Sequence, residues 1–145
     1  MLFKKHLFSA SERRQIVDAI GHAEKMTSGE IRVHVEPRCT GAVLDRAADV
    51  FHKLGMQKTV LRNGVLIYLA WEDRKLAVIG DKGINEVVPA DFWDITAEEM
   101  TALFRQQKYV AGVVHGIEQA GIKLTQYFPY YAGDKNELSN DISEG

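Results

Sequence analysis

Four residues of the kind that hold hard cations stand in or near glycine turns. Glu30 follows Gly29, Asn63 precedes Gly64, Asp81 follows Gly80, and Asp91 comes shortly after Pro89. Carboxylates, amide oxygens and backbone carbonyls are the ligands that Ca2+ and Mg2+ take. Glycines beside such residues let backbone carbonyls approach an ion. The same residue types also serve as turn and cap residues, and spacing alone leaves both readings open. No continuous EF-hand loop is present.

Other candidates carry blander expectations. Glu36, Trp71, Glu72 and Asp73 belong to the opposite end of the strands, beyond whose carboxyl ends ligands often bind. A solvated turn is the simpler expectation there. Cys39 precedes Thr40-Gly41 and lacks the five-residue loop and arginine of a cysteine phosphatase, so it reads as a loop thiol. Among the histidines His6, His22, His34, His52 and His115, no pair has zincin spacing. His34 reads as a hydrogen-bonded surface residue. Lys82, beside Asp81, could hold an anion but reads first as a surface turn residue. Phe92-Trp93 is expected on a loop, either folded back into the core or forming a protein-docking patch with Tyr127, Phe128, Tyr130 and Tyr131.

The elements that must position these residues follow from periodicity. Ser9-Ala10-Ser11-Glu12 is a capping box, and the apolar spacing after it predicts a helix over 9–26. Residues 30–36 alternate strictly, which predicts a strand with Arg32, His34 and Glu36 on a polar face. A helix over 43–54 follows, with Arg46, Asp49 and Lys53 on its wet face. A polar connection over 56–63 leads to a continuous apolar run over 65–71, expected for an interior strand. Residues 76–79 turn back as its hairpin partner. A short helix over 84–88 precedes Pro89. Thr96-Ala97-Glu98-Glu99 reads as a second capping box, opening a helix to about 107. A long helix over 109–128 carries Gly112, Gly116 and Gly121, expected to pack closely on the sheet.

The helix between the first two strands makes them parallel, with a right-handed crossover. The fold class is therefore α/β: a three-layer α/β/α sandwich with a small mixed sheet and helices on both faces. Glu30, Asn63 and Asp81 should meet at one edge of that sheet, with Asp91 nearby.

Composition sets the frame. The 145 residues are 46% hydrophobic and 26% charged, with a formal net charge of -2. This fits one domain, assigned to residues 1–129. Residues 130–145 are small, polar and acidic and read as a disordered tail. Asp134, Glu137, Asp141 and Glu144 against Lys135 put the mild acidity in that tail. A single cysteine forms no internal disulfide. No basic stripe with interleaved aromatics appears, so no nucleic-acid partner is expected. No run approaches the ~18 apolar residues of a membrane span. The amino-terminal residues lack a signal-peptide apolar run, and a cytoplasmic location is expected.

Several segments resemble the TPM domain family. They are Thr27-Ser28-Gly29-Glu30-Ile31-Arg32-Val33, Asn63-Gly64-Val65-Leu66-Ile67, Asp73-Arg74-Lys75 with the strand that follows, and Gly83-Ile84 with Asp91. Tyr109-Val110-Ala111-Gly112-Val113-Val114 resembles the entry of the family's last helix. The resemblance implies a mixed sheet sandwiched by helices. It further implies binding of divalent cations, Ca2+ or Mg2+, with Glu30, Asn63, Asp81 and Asp91 as metal ligands. The function it implies is an interaction module supporting assembly or maintenance of other proteins. The alternative it implies is a weak metal-dependent phosphatase acting on phosphate monoesters. The chain departs from the family pattern at Arg62-Asn63 and in the longer turn Gly80-Asp81-Lys82-Gly83.

Overall fold

A computed structural model describes residues 6–131 and 138–145. The chain runs α1 (Ala10–Glu24), β1 (Glu30–Glu36), α2 (Val43–Lys53), a 3-10 turn (Met56–Lys58), β2 (Gly64–Ala70) and β3 (Lys75–Gly80). There follow α3 (Lys82–Asn85), α4 (Phe92–Arg105), α5 (Tyr109–Tyr127) and β4 (Ser143–Glu144). The sheet order is β3-β2-β1-β4. β1 and β2 are parallel, from Glu30 opposite Gly64 to Glu36 opposite Ala70. β2 and β3 are antiparallel. The parallel pair β1–β2 and the antiparallel pair β2–β3 are those the apolar patterns predict, and β4 is a strand they do not.

Alternation along the strands divides the core in two. Ile31, Val33, Val35, Val65, Ile67 and Leu69 face Ile16 and Ile20 of α1, Met100 of α4, and Val113 and Ile117 of α5. Leu66, Tyr68 and Ala70 face the other way, onto Ala47, Val50 and Phe51 of α2. Three helices thus cover one face and α2 the other. Every residue of β2 is buried, as expected of a strand covered on both sides.

The capping box of α1 forms: Glu12 N donates to Ser9 Oγ at 3.1 Å and Ser9 N to Glu12 Oε1 at 2.8 Å. The box expected at Thr96 does not. α4 starts earlier, at Phe92, and the Thr96 hydroxyl instead donates to the Phe92 carbonyl at 2.9 Å, inside the helix. Phe92-Trp93 is therefore the first turn of a helix rather than a loop. Trp93 is buried and its Nε1 donates to Asn85 Oδ1 at 2.8 Å. Of the two expectations for Trp93 the folded-back one holds, and the docking patch there is corrected: the indole ties α4 to α3 at Asn85. Phe92 is partly covered and packs on the core, with Lys123 Nζ 5.3 Å above its ring. Tyr127, Tyr130 and Tyr131 are exposed.

The glycines of α5 serve helix contacts more than sheet contacts. A Cβ on Gly112 would lie 2.4 Å from the Phe104 ring, and one on Gly121 would lie 2.9 Å from Ala23 Cβ. Only Gly116 also approaches the sheet, with Ile67 Cδ1 at 3.1 Å.

The reading of residues 130–145 as a disordered tail needs correction at both its ends. Tyr130 N donates to the Met26 carbonyl at 3.0 Å. Ser143 and Glu144 form β4, which pairs in parallel with His34 and Val35. Ile142 is buried in the main core. One apolar side chain in a polar segment carries no periodicity, so composition hides the anchor. Residues 132–137 of that expected tail lie outside the described residues.

Candidate functional site

At the amino ends of β1 and β2 the backbone brings three of the four expected ligand positions together. Glu30 N donates to the Asn63 carbonyl at 3.4 Å, and Asp81 N to the Gly64 carbonyl at 2.8 Å. Glu30, Asn63 and Asp81 are all buried. Asn63 is only 1% exposed. Its Nδ2 donates to Ser28 Oγ at 3.4 Å, while its Oδ1 has no hydrogen-bond partner. Gln57 Oε1 and Thr59 Oγ1, in the same connection between α2 and β2, are also buried without a partner. A buried polar oxygen left unmatched is destabilising by about 1–3 kcal/mol, so these atoms call for a donor or a cation.

Asp81 is already engaged. Its carboxylate accepts Arg62 Nε at 2.6 Å and Nη2 at 2.8 Å, and Oδ1 caps α3 through Lys82 N at 2.7 Å. Arg62 sits at φ 51°, in the left-handed region, which turns its side chain back over the strand end. Gly83 makes this approach possible. Its N donates to the Arg62 carbonyl at 2.7 Å, and a Cβ there would fall 2.2 Å from the Leu61 carbonyl oxygen. A cavity of about 150 Å3 opens beside the pair, lined in part by His52, Gln57, Arg62 and Asp81. Asp91 is exposed at the start of α4 and makes no capping bond. Among the described residues no group of three or more His, Cys, Asp or Glu side chains is placed to hold a metal.

The opposite end differs from expectation. Glu36 and His34 are buried rather than solvated, which corrects the expected surface histidine, while Glu72 and Asp73 do lie exposed in the turn after β2. The Glu36 carboxylate accepts Arg46 Nε at 2.8 Å and Nη2 at 2.9 Å, the Tyr68 hydroxyl, and His34 Nε2 at 3.0 Å. Arg46, expected on the wet face of α2, turns inward to neutralise it. The Arg46 bonds, with help from Tyr68 and His34, hold the Glu36 carboxyl down at about 2. Burial, and then the bond to Glu36, push the Tyr68 phenol up. An ionised carboxylate only accepts, so His34 Nε2 carries a proton. In the neutral ring Nδ1 then accepts from Ser143 Oγ, 3.1 Å away. The sequence signal for this network is the i, i+2 spacing of His34 and Glu36 with Tyr68 opposite His34 in register. Only the pairing of β1 with β2 brings Tyr68 there.

Comparison with known proteins fits the fold. The chain is similar to the BA42 protein of the psychrophilic bacterium Bizionia argentinensis, whose structure was determined by NMR. Identity is 51% over all of both chains, with a TM-score of 0.91. The amino-terminal domain of the cg2496 protein from Corynebacterium glutamicum shares the fold, with a TM-score of 0.64 at 16% identity, over 81% of this chain and 74% of that one. No curated protein matches. No described helix is long and apolar enough to cross a membrane. The family model described as the TPM domain matches residues 3–122, and the chain belongs to that family.

Proposed function

We propose that the chain is a divalent-cation-binding interaction module that supports the assembly or maintenance of other proteins. Its cation site lies at the amino ends of β1 and β2, and its proposed ligands are Glu30, Asn63, Asp81 and Asp91. The observation that carries this reading is the Asn63 carboxamide oxygen, buried without a partner beside Glu30 in the strand register. Calcium and magnesium accept neutral amide and carbonyl oxygens together with a few carboxylates, so a site poor in carboxylates still fits the donor set. Glu30 and Asn63 supply its buried part. Asp81 joins only when Arg62 releases it, and Asp91 would reach in from the start of α4.

Titration with Ca2+ and Mg2+, followed by amide chemical shifts, tests the site. Saturable shifts confined to Glu30, Asn63 and residues 80–83 are expected. No shifts at millimolar cation would overturn the reading. The alternative of a weak metal-dependent phosphatase acting on phosphate monoesters would use the same residues. Phosphate-ester turnover that survives Asp81→Asn and Glu30→Gln together would reject it.

A further inference from the structure

β4 behaves as a bound peptide rather than as part of the sheet's frame. It pairs through two residues, Ser143 and Glu144, and the folded body contacts its segment from Asp141 to Gly145. Arg32 Nη2 donates to the Asp141 carbonyl at 3.5 Å, and Arg13 lies 3.7 Å from the Asp141 carboxylate. Ile142 is 5% exposed and belongs to the core cluster that holds Val33 and Val35 of β1 and Ile16 and Ile20 of α1. Ser143 Oγ meets His34 Nδ1 at 3.1 Å, and Glu144 accepts Arg13 Nη1 at 2.8 Å.

At the last position only glycine fits. Gly145 N donates to the Val35 carbonyl at 3.1 Å, while a Cβ there would fall 2.4 Å from Glu36 Oε1 and 2.9 Å from His34 Nε2. A cavity of about 610 Å3 lies beside Gly145, lined also by Glu36, Pro37, Arg38, Thr40 and Arg46. Strand addition at a sheet edge takes its affinity from main-chain bonds and its specificity from pockets for alternate side chains. Both are present here.

We infer that the outer edge of β1 is a peptide-binding groove for an extended partner segment of the pattern acidic–apolar–hydroxyl–acidic–glycine, which the chain's own residues 141–145 fill in cis. Arg13 selects the acidic positions, Arg32 holds the main chain at the first of them, the Ile142 pocket selects the apolar position, His34 the hydroxyl, and the wall of His34 and Glu36 the glycine. The tethered segment competes at a high effective concentration, so a partner must bind more tightly than it does.

The test uses the full chain carrying Ile142→Asp, which removes the cis anchor and leaves every groove residue in place. A peptide of residues 140–145 with the natural sequence is added, and amide shifts are followed. Saturable shifts along Arg32–Glu36 and at Arg13 are expected. The same peptide with valine in place of its glycine should bind at least tenfold more weakly. Wild-type chain should also bind the natural peptide at least tenfold more weakly than the variant. If Ile142→Asp does not fold, Gly145→Val replaces it, since it dislodges only the last residue. No shifts at millimolar peptide on a folded variant would overturn the inference. So would a wild-type dimer that exchanges residues 138–145, which would assign the groove to a second copy of the chain.

Discussion

Arg62 grips Asp81 through two bonds of 2.6 and 2.8 Å, from a backbone in the left-handed region. The carboxylate is 6% exposed and the guanidinium 46%. A positive charge therefore already stands where a cation would approach Asp81, and the two compete for the same oxygens.

Removing that competitor should strengthen cation binding. Arg62→Ala frees both Asp81 oxygens for a cation, so it should tighten Ca2+ binding severalfold. Calorimetric or NMR titration of both proteins measures this. Equal affinities would show that Asp81 takes no part in the site while leaving Glu30 and Asn63 in place.

Glu36 should govern acid stability. Its carboxyl is lowered from the ordinary 4.5 to about 2, chiefly by Arg46. A depressed folded value means the unfolded chain takes up the proton first as pH falls. The stabilisation is complete above 4.5 and is lost as pH drops towards 2, and by linkage it is on the order of 3 kcal/mol. Urea unfolding of wild type and Glu36→Gln across that range measures it. The wild-type curve should fall more steeply with acid, and parallel curves would refute the assignment.

The sequence shows the fold more clearly than the site, for physical reasons. β2 is legible because a strand covered on both faces is apolar throughout, and α1 because its cap is local. β1 is misleading: His34 and Glu36 look solvent-facing since their partners, Tyr68, Arg46 and Ser143, come from three other elements. Arg46 looks exposed for the same reason. Asp81 and Asn63 are correctly placed at one edge by topology, yet the Arg62 clasp depends on a backbone dihedral that no periodicity encodes. The start of α4 is missed because the capping pattern at Thr96–Glu99 reads as a helix start although it lies inside the helix, while the true start at Phe92 has no side-chain cap.

Two glycines should separate rigid from yielding neighbours. A Cβ on Gly83 would meet the carbonyl oxygens of Leu61 at 2.2 Å and Arg62 at 2.7 Å, which are main chain. One on Gly116 would meet Met100 Sδ at 2.6 Å, the flexible end of a side chain. Alanine within a helix regains about 1 kcal/mol over glycine, which offsets part of the strain at Gly116. Gly83→Ala should therefore destabilise by about 1–3 kcal/mol and Gly116→Ala by clearly less. Thermal unfolding of the two variants decides the order, and a reversed order would contradict the packing described.

Gln107 offers a stabilising change away from both strand ends. It follows α4 at φ 61°, its N–H donates to the Phe104 carbonyl at 2.8 Å, and its side chain is exposed. This is the position after a helix that glycine usually fills. A side chain in the left-handed region is unfavourable by roughly 1–2 kcal/mol, while glycine gives up part of that gain through the larger freedom of the unfolded chain. The balance favours Gln107→Gly by about 0.5–1 kcal/mol. The substitution leaves Leu103, Phe104 and the Lys108–Leu103 bond of 3.0 Å untouched, so the denaturant midpoint should rise with no change in the slope of the transition. A lowered midpoint would mean that the left-handed turn is imposed by the packing of α4 on α5 and owes nothing to residue 107.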